Sequence, residues 1–448
     1  MDKGDLPVTP SAGAIRLAPR LEIFAWAMYD FANSGYTTIV LTAIFNAYFV
    51  SVVARAESGH GLATLYWTVA MGIANGVVLL TAPVLGAIAD FGAHKKRFLA
   101  ATTVGCVVFT ALLALVGPGD VISGMVFVIM ATIMFSAGEN LIAAFLPEIA
   151  PQDDMGRISG YGWSLGYLGG LLVLGVCLAY VSWAERHGQT ASQYVPVTML
   201  ITAGAFALAS LPTFIWLPER ALGQKLPKGT SYMRIGFERV AVTWTHIRRY
   251  RDLFRFLLTV TVFHCGIYTV IVVAAVYARE VMGFDTKESV FMILIVNVTS
   301  AVGAFIFGRV QDYLGSIRTL MLTLLLWTTA LMLAYLSSDR TGFWVSANLI
   351  GLAMGSSQSA SRALVGQFSP PERSGEFFGM WGLAVKLAAV IGPMSYGVVT
   401  VMTHGDHRTA ILVTTGYFVL GAIMLLTINE RRGRETALAV AEAESGGS

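Results

Sequence analysis

The chain has 448 residues, of which 55% are hydrophobic and 13% charged, and its formal net charge is +3 at pH 7. Soluble domains carry about 25% charged residues, so this composition excludes a soluble enzyme, a nucleic-acid binder and a disordered scaffold. Apolar stretches long enough to cross a bilayer, about 20 residues each, follow one another along the chain. The sequence therefore predicts a polytopic membrane protein, and so small a net charge indicates no particular partner.

Apolar stretches separated by Pro, Gly and clusters of charge predict twelve spans. All twelve are expected to be α-helices, because an isolated strand cannot satisfy its backbone polar groups in lipid. The predicted limits are 23–54, 62–89, 98–116, 121–147, 157–183, 194–217, 256–279, 288–311, 318–337, 343–367, 375–402 and 409–429.

The predicted organisation is two six-helix bundles, 23–217 and 256–430, joined by a basic linker, 218–255, with tails at 1–22 and 431–448. Within the linker, Tyr232–Tyr250 has the pattern of an interfacial amphipathic helix. Most of the 30 Lys and Arg residues fall on one side of the membrane if the N-terminus is cytoplasmic. The positive-inside rule then places the linker and both termini in the cytoplasm. The short loops favour a bacterial inner membrane.

An internal repeat supports the count of twelve. Gly86–Asp90 follows the second span and Gly308–Asp312 follows the eighth, and both have the form Gly-x-x-x-Asp. A second pair of similar segments, 151–160 and 370–379, occurs in the same order at nearly the same offset. Two homologous halves related as parallel repeats explain both pairs. The predicted fold is an all-α integral membrane protein of twelve transmembrane helices in two six-helix halves.

The repeated loops have a physical rationale as a gate. A Gly at a helix end lets two helices approach closely, and an Asp there faces the positive N-terminus of a helix in the other half. The alternative is that the charges only set topology. The candidate gate residues are Gly86, Asp90, Lys95, Arg97, Arg157, Gly308, Asp312, Arg318 and Glu376.

The segment 86–97 resembles the signature loop of the major facilitator superfamily (MFS), although Ala93 stands where the family usually has a second Gly. In the second copy that residue is Gly315. Three longer stretches, 26–49, 145–170 and 355–386, resemble the branch that contains the fungal vacuolar amino-acid effluxers associated with autophagy and their bacterial relatives. The resemblance implies the major facilitator fold, with helices 1, 4, 7 and 10 around a central cavity. It also implies export of neutral amino acids.

Four ionisable residues lie within spans: Asp30, Glu139, Arg362 and Lys386. Charged groups in a bilayer are costly and are functional candidates by default. Two acids from the first half and two bases from the second are expected to share the inner half of the membrane. Two interpretations stay open. The four form an ion-pair network that holds a gate shut, or an acid exchanges a proton while a base holds an anionic substrate group. A mixed role, in which the set does both, is also open.

Uncharged residues complete the predicted site. Polar side chains suited to a zwitterion are Asn33, Tyr36, Asn140 and Gln358. Candidate wall residues, for which ordinary helix packing is the alternative, are Trp163, Tyr167, His264 and Tyr268. Small-residue pairs that predict close helix packing begin at Gly72, Gly166 and Gly351. No metal site or cofactor is predicted, and the absence of a Walker A sequence means that ATP drive is not encoded in this chain.

These observations predict a monomeric secondary transporter that moves a small polar organic solute by alternating access. It is not expected to be an enzyme. Neutral amino acids are the leading substrate class and export is the favoured direction, with proton coupling by symport or antiport open. The expected partners are the substrate, protons if coupled, and the lipid bilayer, but no nucleic acid. The alternatives are efflux of amphipathic or lipid-like compounds, and a membrane sensor that does not transport.

Overall fold

A computed structural model describes residues 17–220, 231–245 and 249–445, and these are helical almost throughout. The predicted spans all correspond to helices, numbered here helix 1 to helix 12. They are Arg20–Val53, Arg55–Gly92, Lys95–Leu112, Val121–Ala143, Met155–Arg186, Ala191–Trp216, Arg251–Met282, Thr286–Leu314, Ser316–Leu336, Arg340–Phe368, Ser374–Met402 and His407–Leu425. Two further helices are the linker helix, Tyr232–Thr245, and the C-terminal helix, Glu430–Ser445.

Several helices extend beyond the predicted spans. Helix 2 begins at Arg55 where 62 was predicted, and helix 7 begins at Arg251 where 256 was predicted. Helix 12 is shorter than predicted and ends at Leu425. Hydropathy detects only the part of a helix that lies in lipid, whereas backbone hydrogen bonding continues into the polar residues outside. Parts of two predicted segments lie outside the described residues. They are the linker residues Lys225, Lys228 and Arg248, and positions 1–16 of the N-terminal tail.

Eleven of the described helices are both long enough and apolar enough to cross a membrane. Helix 10 is long enough, but its hydropathy is lower than that of the other eleven. Residues 353–370 are all buried against other parts of the chain. A helix that is covered by protein on every side need not be apolar, because neighbouring helices satisfy its Ser, Gln and Arg side chains. The described residues therefore form the twelve crossing helices that the sequence predicts.

Helix 1 departs from regular α geometry beyond Tyr36. Two segments, Thr37–Ala43 and Phe49–Val53, are π-helical. The Ser34 hydroxyl donates to the Asp30 carbonyl at 2.7 Å, and the Thr38 hydroxyl donates to the Ser34 carbonyl at 2.9 Å. Such side-chain bonds compete with the backbone ladder and bend helices. The widened turns begin directly after the segment that carries Asp30.

Each half has its own hydrophobic core. The first is built on residues such as Trp26, Phe145 and Phe206, and the second on residues such as Phe263, Trp327 and Phe418. Between the halves, helix 2 packs against helix 11 and helix 5 packs against helix 8. These two seams align the halves about the central helices.

The inner end of the bundle is defined by the turns at Ala93 and Gly315, which join helix 2 to helix 3 and helix 8 to helix 9. Both residues have positive φ, 48° at Ala93 and 89° at Gly315. Glycine adopts this conformation at little cost, whereas a residue with a Cβ is strained there. The second Gly of the family signature therefore answers a backbone requirement, which Ala93 meets with strain.

Small residues bring the halves together at this end. A Cβ on Gly86 would lie 1.9 Å from the Gly375 carbonyl oxygen, and one on Gly308 would lie 2.7 Å from the Gly156 carbonyl oxygen. Of the predicted packing pairs, those beginning at Gly166 and Gly351 lie against helices 1 and 8, as predicted. At Gly72 and Gly76 a Cβ would meet open space, with no packing atom within 4 Å, so the prediction of close packing there is wrong.

Candidate transport site and inner gate

Arg362 of helix 10 crosses to the other half and binds Asp30 of helix 1. Its Nη1 donates to the Asp30 carboxylate at 2.7 Å, and both side chains are almost entirely buried. Its Nε and Nη2 donate to the hydroxyl and carbonyl of Ser159 at 3.1 and 2.9 Å. Helices 1, 5 and 10 are thus joined through one guanidinium group.

Two tryptophans enclose this guanidinium. Its central carbon lies 4.7 Å from the ring centroid of Trp26 and 5.4 Å from that of Trp163. Trp26 donates its indole N–H to the Ile142 carbonyl at 2.7 Å. Cation–π attraction adds to the ion pair where water is excluded. Ser159 and Trp26 were absent from the predicted site, although both stand in stretches that carried the family resemblance, 145–170 and 26–49.

The other acid and base, Glu139 of helix 4 and Lys386 of helix 11, remain apart. No described ion pair within 4.0 Å involves either side chain. Both side chains are partly exposed, and the Lys386 ammonium lies 6.0 Å from the Phe135 ring centroid. The four predicted charges therefore form one closed pair and one open pair.

Buried polar atoms without a partner occur on helix 4 and helix 11, which carry Glu139 and Lys386, and on helix 5. Among the described residues, the amide nitrogen of Asn140 and the indole nitrogens of Trp163 and Trp381 are buried without a hydrogen-bond partner. A Cβ at Gly382, beside Trp381, would lie 2.4 Å from that amide, so helices 4 and 11 meet closely here. Buried donors are almost always satisfied in proteins. Unsatisfied donors on helices 4, 5 and 11, two of which also carry the unpaired acid and base, indicate a place for a polar ligand.

Other predicted site residues lie around this region. The Tyr167 hydroxyl donates to the Gln358 side-chain oxygen, which links helices 5 and 10. The Tyr167 ring lies 5.9 Å from the Trp163 ring. Asn33 is almost buried one turn beyond Asp30, and Tyr268 of helix 7 is half-buried.

Two predicted site residues belong to the packed interior instead. Tyr36 is fully buried, its hydroxyl bonds to the Thr132 hydroxyl at 2.8 Å, and its ring stacks on Phe135 at 5.1 Å. His264 is 2% exposed and its Nδ1 lies 3.1 Å from the Val260 carbonyl of its own helix. The Tyr36 hydroxyl and the Nδ1 of His264 are therefore occupied within their own halves of the molecule.

At the inner end, the Asp90 carboxylate binds the N-terminus of helix 11. It accepts hydrogen bonds from the backbone N–H groups of Gly375 and Glu376 at 3.0 and 2.9 Å. An anion at a helix N-terminus satisfies unpaired N–H groups and the helix dipole together. This is the contact that the Gly-x-x-x-Asp loop predicts, and it joins the two halves.

Lys95 extends this contact into a buried network. Its side chain is fully buried and lies 3.1 Å from Asp90, 2.7 Å from Glu148 and 2.7 Å from the Ser374 hydroxyl. Ser374 belongs to the other half, so one ammonium group bridges the interface. Neither Glu148 nor Ser374 was predicted. Glu148 follows Pro147 in the stretch that carried the resemblance, and it is an acid in an otherwise apolar segment, which was the available signal.

Glu219, just beyond helix 6, caps the start of helix 3. Its carboxylate accepts the backbone N–H groups of Lys95 and Lys96 at 2.6 and 3.3 Å. Burial raises the pKa of Glu219, although these two hydrogen bonds favour its ionised form. The Lys96 ammonium donates to the Leu217 carbonyl at 2.6 Å and takes no part in the bridge between the halves.

The second loop repeats the arrangement with one change. The Asp312 carboxylate accepts the backbone N–H of Arg157, at the start of helix 5, at 2.9 Å. The Arg157 guanidinium binds Asp154 at 2.7 Å within its own half. Arg157 thus contributes to the interface through its backbone, whereas its side chain does not cross.

Three predicted gate residues need correction. Arg97 and Arg318 are exposed and make no described hydrogen bond or ion pair, because both side chains point away from the bundle after their turns. Glu376 contributes only its backbone N–H to Asp90, since its carboxylate pairs with Arg373 at 2.8 Å. Arg373, which was not predicted, also donates to the Tyr250 hydroxyl at 3.1 Å.

The described hydrogen bonds between the halves all lie between the inner end and the middle of the bundle. The pair Tyr167–Gln358 is the one farthest from the inner end, about 18 Å along helix 5 at 1.5 Å per residue. The structure is therefore closed at its inner end. Among the described residues, no group of three or more His, Cys, Asp or Glu is placed to hold a metal ion.

Comparison with known proteins agrees with this architecture. The family described as "Vacuole effluxer Atg22 like" matches residues 63–438. The uncharacterized MFS-type transporter YxiO of Bacillus subtilis is 26% identical over 415 residues, covering 92% of this chain and 96% of the relative. Autophagy-related protein 22-1 of Aspergillus niger is 25% identical over 311 residues, which cover 65% of this chain and 50% of that protein. The human organic anion transporter MFSD10 shares the fold, with a TM-score of 0.72 at 15% identity over 91% of this chain and 99% of that one.

Proposed function

The chain belongs to the Atg22-like vacuole effluxer family of MFS-type transporters, and we propose that it carries small zwitterions, neutral amino acids foremost, between Glu139 and Lys386. Its relatives include fungal autophagy-related proteins. The chain matches about half of the length of those proteins. We place the protein in a bacterial inner membrane with its inner end towards the cytoplasm, and the proposed direction is export.

The open acid–base pair carries this proposal. Glu139 and Lys386 come from opposite halves and do not neutralise each other within ion-pair distance. An α-amino acid bears an ammonium and a carboxylate on one carbon, so it would satisfy both residues at once. The unpartnered donors of Asn140, Trp163 and Trp381 would complete the coordination of the carboxylate. The nearby aromatic rings suit an uncharged side chain.

Alternating access follows from where the halves are tied. A substrate held by both halves favours the state in which the cavity is enclosed, and the inner contacts of Asp90 and Asp312 must then break for the inner end to open. Opening would also separate Asp30 from Arg362. A carboxylate that loses its cation in apolar surroundings binds a proton more readily, so this pair offers a route to proton coupling.

Counterflow of labelled leucine and tyrosine in proteoliposomes tests the proposal. Exchange should be saturable, should be competed by unlabelled leucine, and should resist isopentylamine and 4-methylpentanoate, which each lack one of the two charges. An imposed pH gradient should accelerate exchange if protons are coupled. An exchange rate that does not depend on the pH gradient would mean that Asp30 and Arg362 act only in the gate and not in proton coupling. If thermal melting shows that the protein is folded and it still exchanges neither amino acid, the proposed substrate class is wrong.

A further inference from the structure

The linker helix, Tyr232–Thr245, lies against the inner end of helix 2. A Cβ on Gly236 would lie 2.7 Å from Ile88 and 3.0 Å from Val84, so the absence of a side chain allows the close approach. Ile235 is buried, and the Arg239 guanidinium lies 5.6 Å from the Phe91 ring centroid.

The covered face of helix 2 is the face that meets lipid higher up. Leu80, Val84 and Ile88 are spaced one turn apart and share one side of the helix. Leu80 is 73% exposed in the membrane-spanning part, whereas Val84 and Ile88 are each 8% exposed beneath the linker helix. The linker helix therefore sits directly below the lipid-facing surface, at the edge of the bilayer.

Its own free surface is divided into an apolar side and a polar side. Met233 and Phe237 are 60% and 57% exposed and lie one turn apart. Arg234 follows Met233 and Glu238 follows Phe237, so each charged side chain lies about 100° further around the helix than its apolar neighbour. Arg234 and Glu238 form an ion pair of 2.7 Å with each other. An exposed apolar stripe beside the bilayer edge, with an ion pair on the adjoining side, is the arrangement of a helix embedded in a membrane surface.

The same helix is tied to the inner gate. Arg373, the residue before helix 11, donates to the hydroxyls of Thr243 in the linker helix and of Tyr250 just beyond it. Arg373 also pairs with Glu376, whose backbone N–H binds Asp90. A displacement of the linker helix would therefore act on the contact between helices 2 and 11.

We propose that Met233 and Phe237 insert into the inner leaflet of the bilayer, and that this insertion stabilises the closed inner end through Arg373. The bilayer surface is thus a partner that acts on the proposed gate. The anchoring step depends on neither the transported substrate nor the coupling ion.

Spin-label accessibility tests the anchoring step on the full chain in nanodiscs, with the three buried cysteines replaced by alanine. A nitroxide introduced by Phe237→Cys should collide preferentially with oxygen, and one introduced by Glu238→Cys should collide preferentially with aqueous Ni-EDDA. The ratio of the two collision rates should differ about threefold or more between the two positions. Met233→Cys and Arg234→Cys form a second matched pair one turn away. Equal ratios, or a reversed order in both pairs, would overturn membrane insertion.

Distance measurement tests the link to the gate. Labels at Arg97→Cys and Arg318→Cys, two exposed residues of opposite halves, report whether the inner end is closed. Adding Phe237→Glu should raise the ratio of open to closed distances about threefold or more, whereas adding Glu238→Gln should leave it unchanged. Identical distributions for the two variants would overturn the link to the gate. Because no substrate is present in either measurement, failure here is distinguishable from failure of the transport proposal.

Discussion

Asp30 and Arg362 are 332 positions apart in the chain, yet their side chains form a buried ion pair of 2.7 Å between the two halves. Arg362 is further held by Ser159 and lies over the Trp26 ring. By contrast, Glu139 and Lys386 have partly exposed side chains and no such partner. One acid and one base are thus paired at the interface between the halves, whereas the other two have no described ion-pair partner.

A double-mutant cycle on the closed pair should show strong coupling. Asp30→Asn or Arg362→Gln alone leaves one charge buried without its partner, which costs about 3–5 kcal/mol. The double variant removes both charges and should lose less stability than the sum of the two single changes. Thermal unfolding of the purified proteins measures the three values. Simple additivity would mean that the ion pair is not formed in the resting protein.

The same Asp30→Asn variant separates a gate from a proton site. If Asp30 takes up the coupled proton, the variant should lose the acceleration of leucine counterflow by a pH gradient, because an amide has no proton to exchange at neutral pH. Counterflow and its pH dependence should be measured against Asn33→Asp in the same helix. Unchanged pH dependence in Asp30→Asn would remove Asp30 from the coupling mechanism.

Glu139→Gln and Lys386→Gln should each weaken leucine binding about tenfold, which corresponds to about 1.4 kcal/mol. Both should leave thermal stability closer to the unmodified protein than Arg362→Gln does, because neither change strands a partner within ion-pair distance. Concentration dependence of counterflow gives the apparent affinity. Lys386→Arg, which keeps the charge, is the matched control. Affinities equal to those of the unmodified protein would place the substrate elsewhere.

Gly86→Ala should prevent closure of the inner end, because the added Cβ would lie 1.9 Å from the Gly375 carbonyl oxygen. Gly76→Ala in the same helix is the matched control, since no packing atom lies within 4 Å of its Cβ position. Distances between labels at positions 97 and 318 should lengthen in the first variant and stay unchanged in the second. A closed inner end in Gly86→Ala would show that helices 2 and 11 separate without losing the gate.

Lys95→Met should destabilise the protein by about 3–5 kcal/mol, because it strands the carboxylates of Asp90 and Glu148 in a buried site. Lys96→Met should cost about 1 kcal/mol or less, since Lys96 bonds only the Leu217 carbonyl among the described residues. The two adjacent lysines have the same charge, so net charge cannot explain a difference in their melting temperatures. Equal losses would contradict the buried bridge.

Ala93→Gly should raise thermal stability by about 1 kcal/mol or less, because glycine relieves the cost of the left-handed conformation at φ 48° but adds freedom to the unfolded chain. The converse change, Gly315→Ala at φ 89°, should lower stability. Melting temperatures of the two variants check the sign. Destabilisation by Ala93→Gly would mean that packing of the Ala93 methyl group contributes more stability than the strained backbone at this turn costs.

The sequence by itself determined the features that are local or repeated. Hydropathy located the spans because a membrane helix that faces lipid must be apolar over a fixed length. The recurrence of Gly-x-x-x-Asp placed Asp90 and Asp312 at equivalent turns, and the rarity of charge in spans singled out Asp30, Glu139, Arg362 and Lys386. None of these inferences required knowing which way a helix faces.

Only the tertiary structure decided how those residues are partnered. Lipid is as apolar as a protein core, so hydrophobic periodicity does not tell the buried face of a membrane helix from its lipid face. The sequence predicted Tyr36 as a site residue, whereas the structure shows its hydroxyl bonded to Thr132. It predicted Lys95 as a gate residue, but it did not identify Glu148 as the partner of Lys95. Helix rotation and the meeting of the halves paired Asp30 with Arg362 and left Glu139 and Lys386 without a described ion pair, and we propose that the substrate binds there.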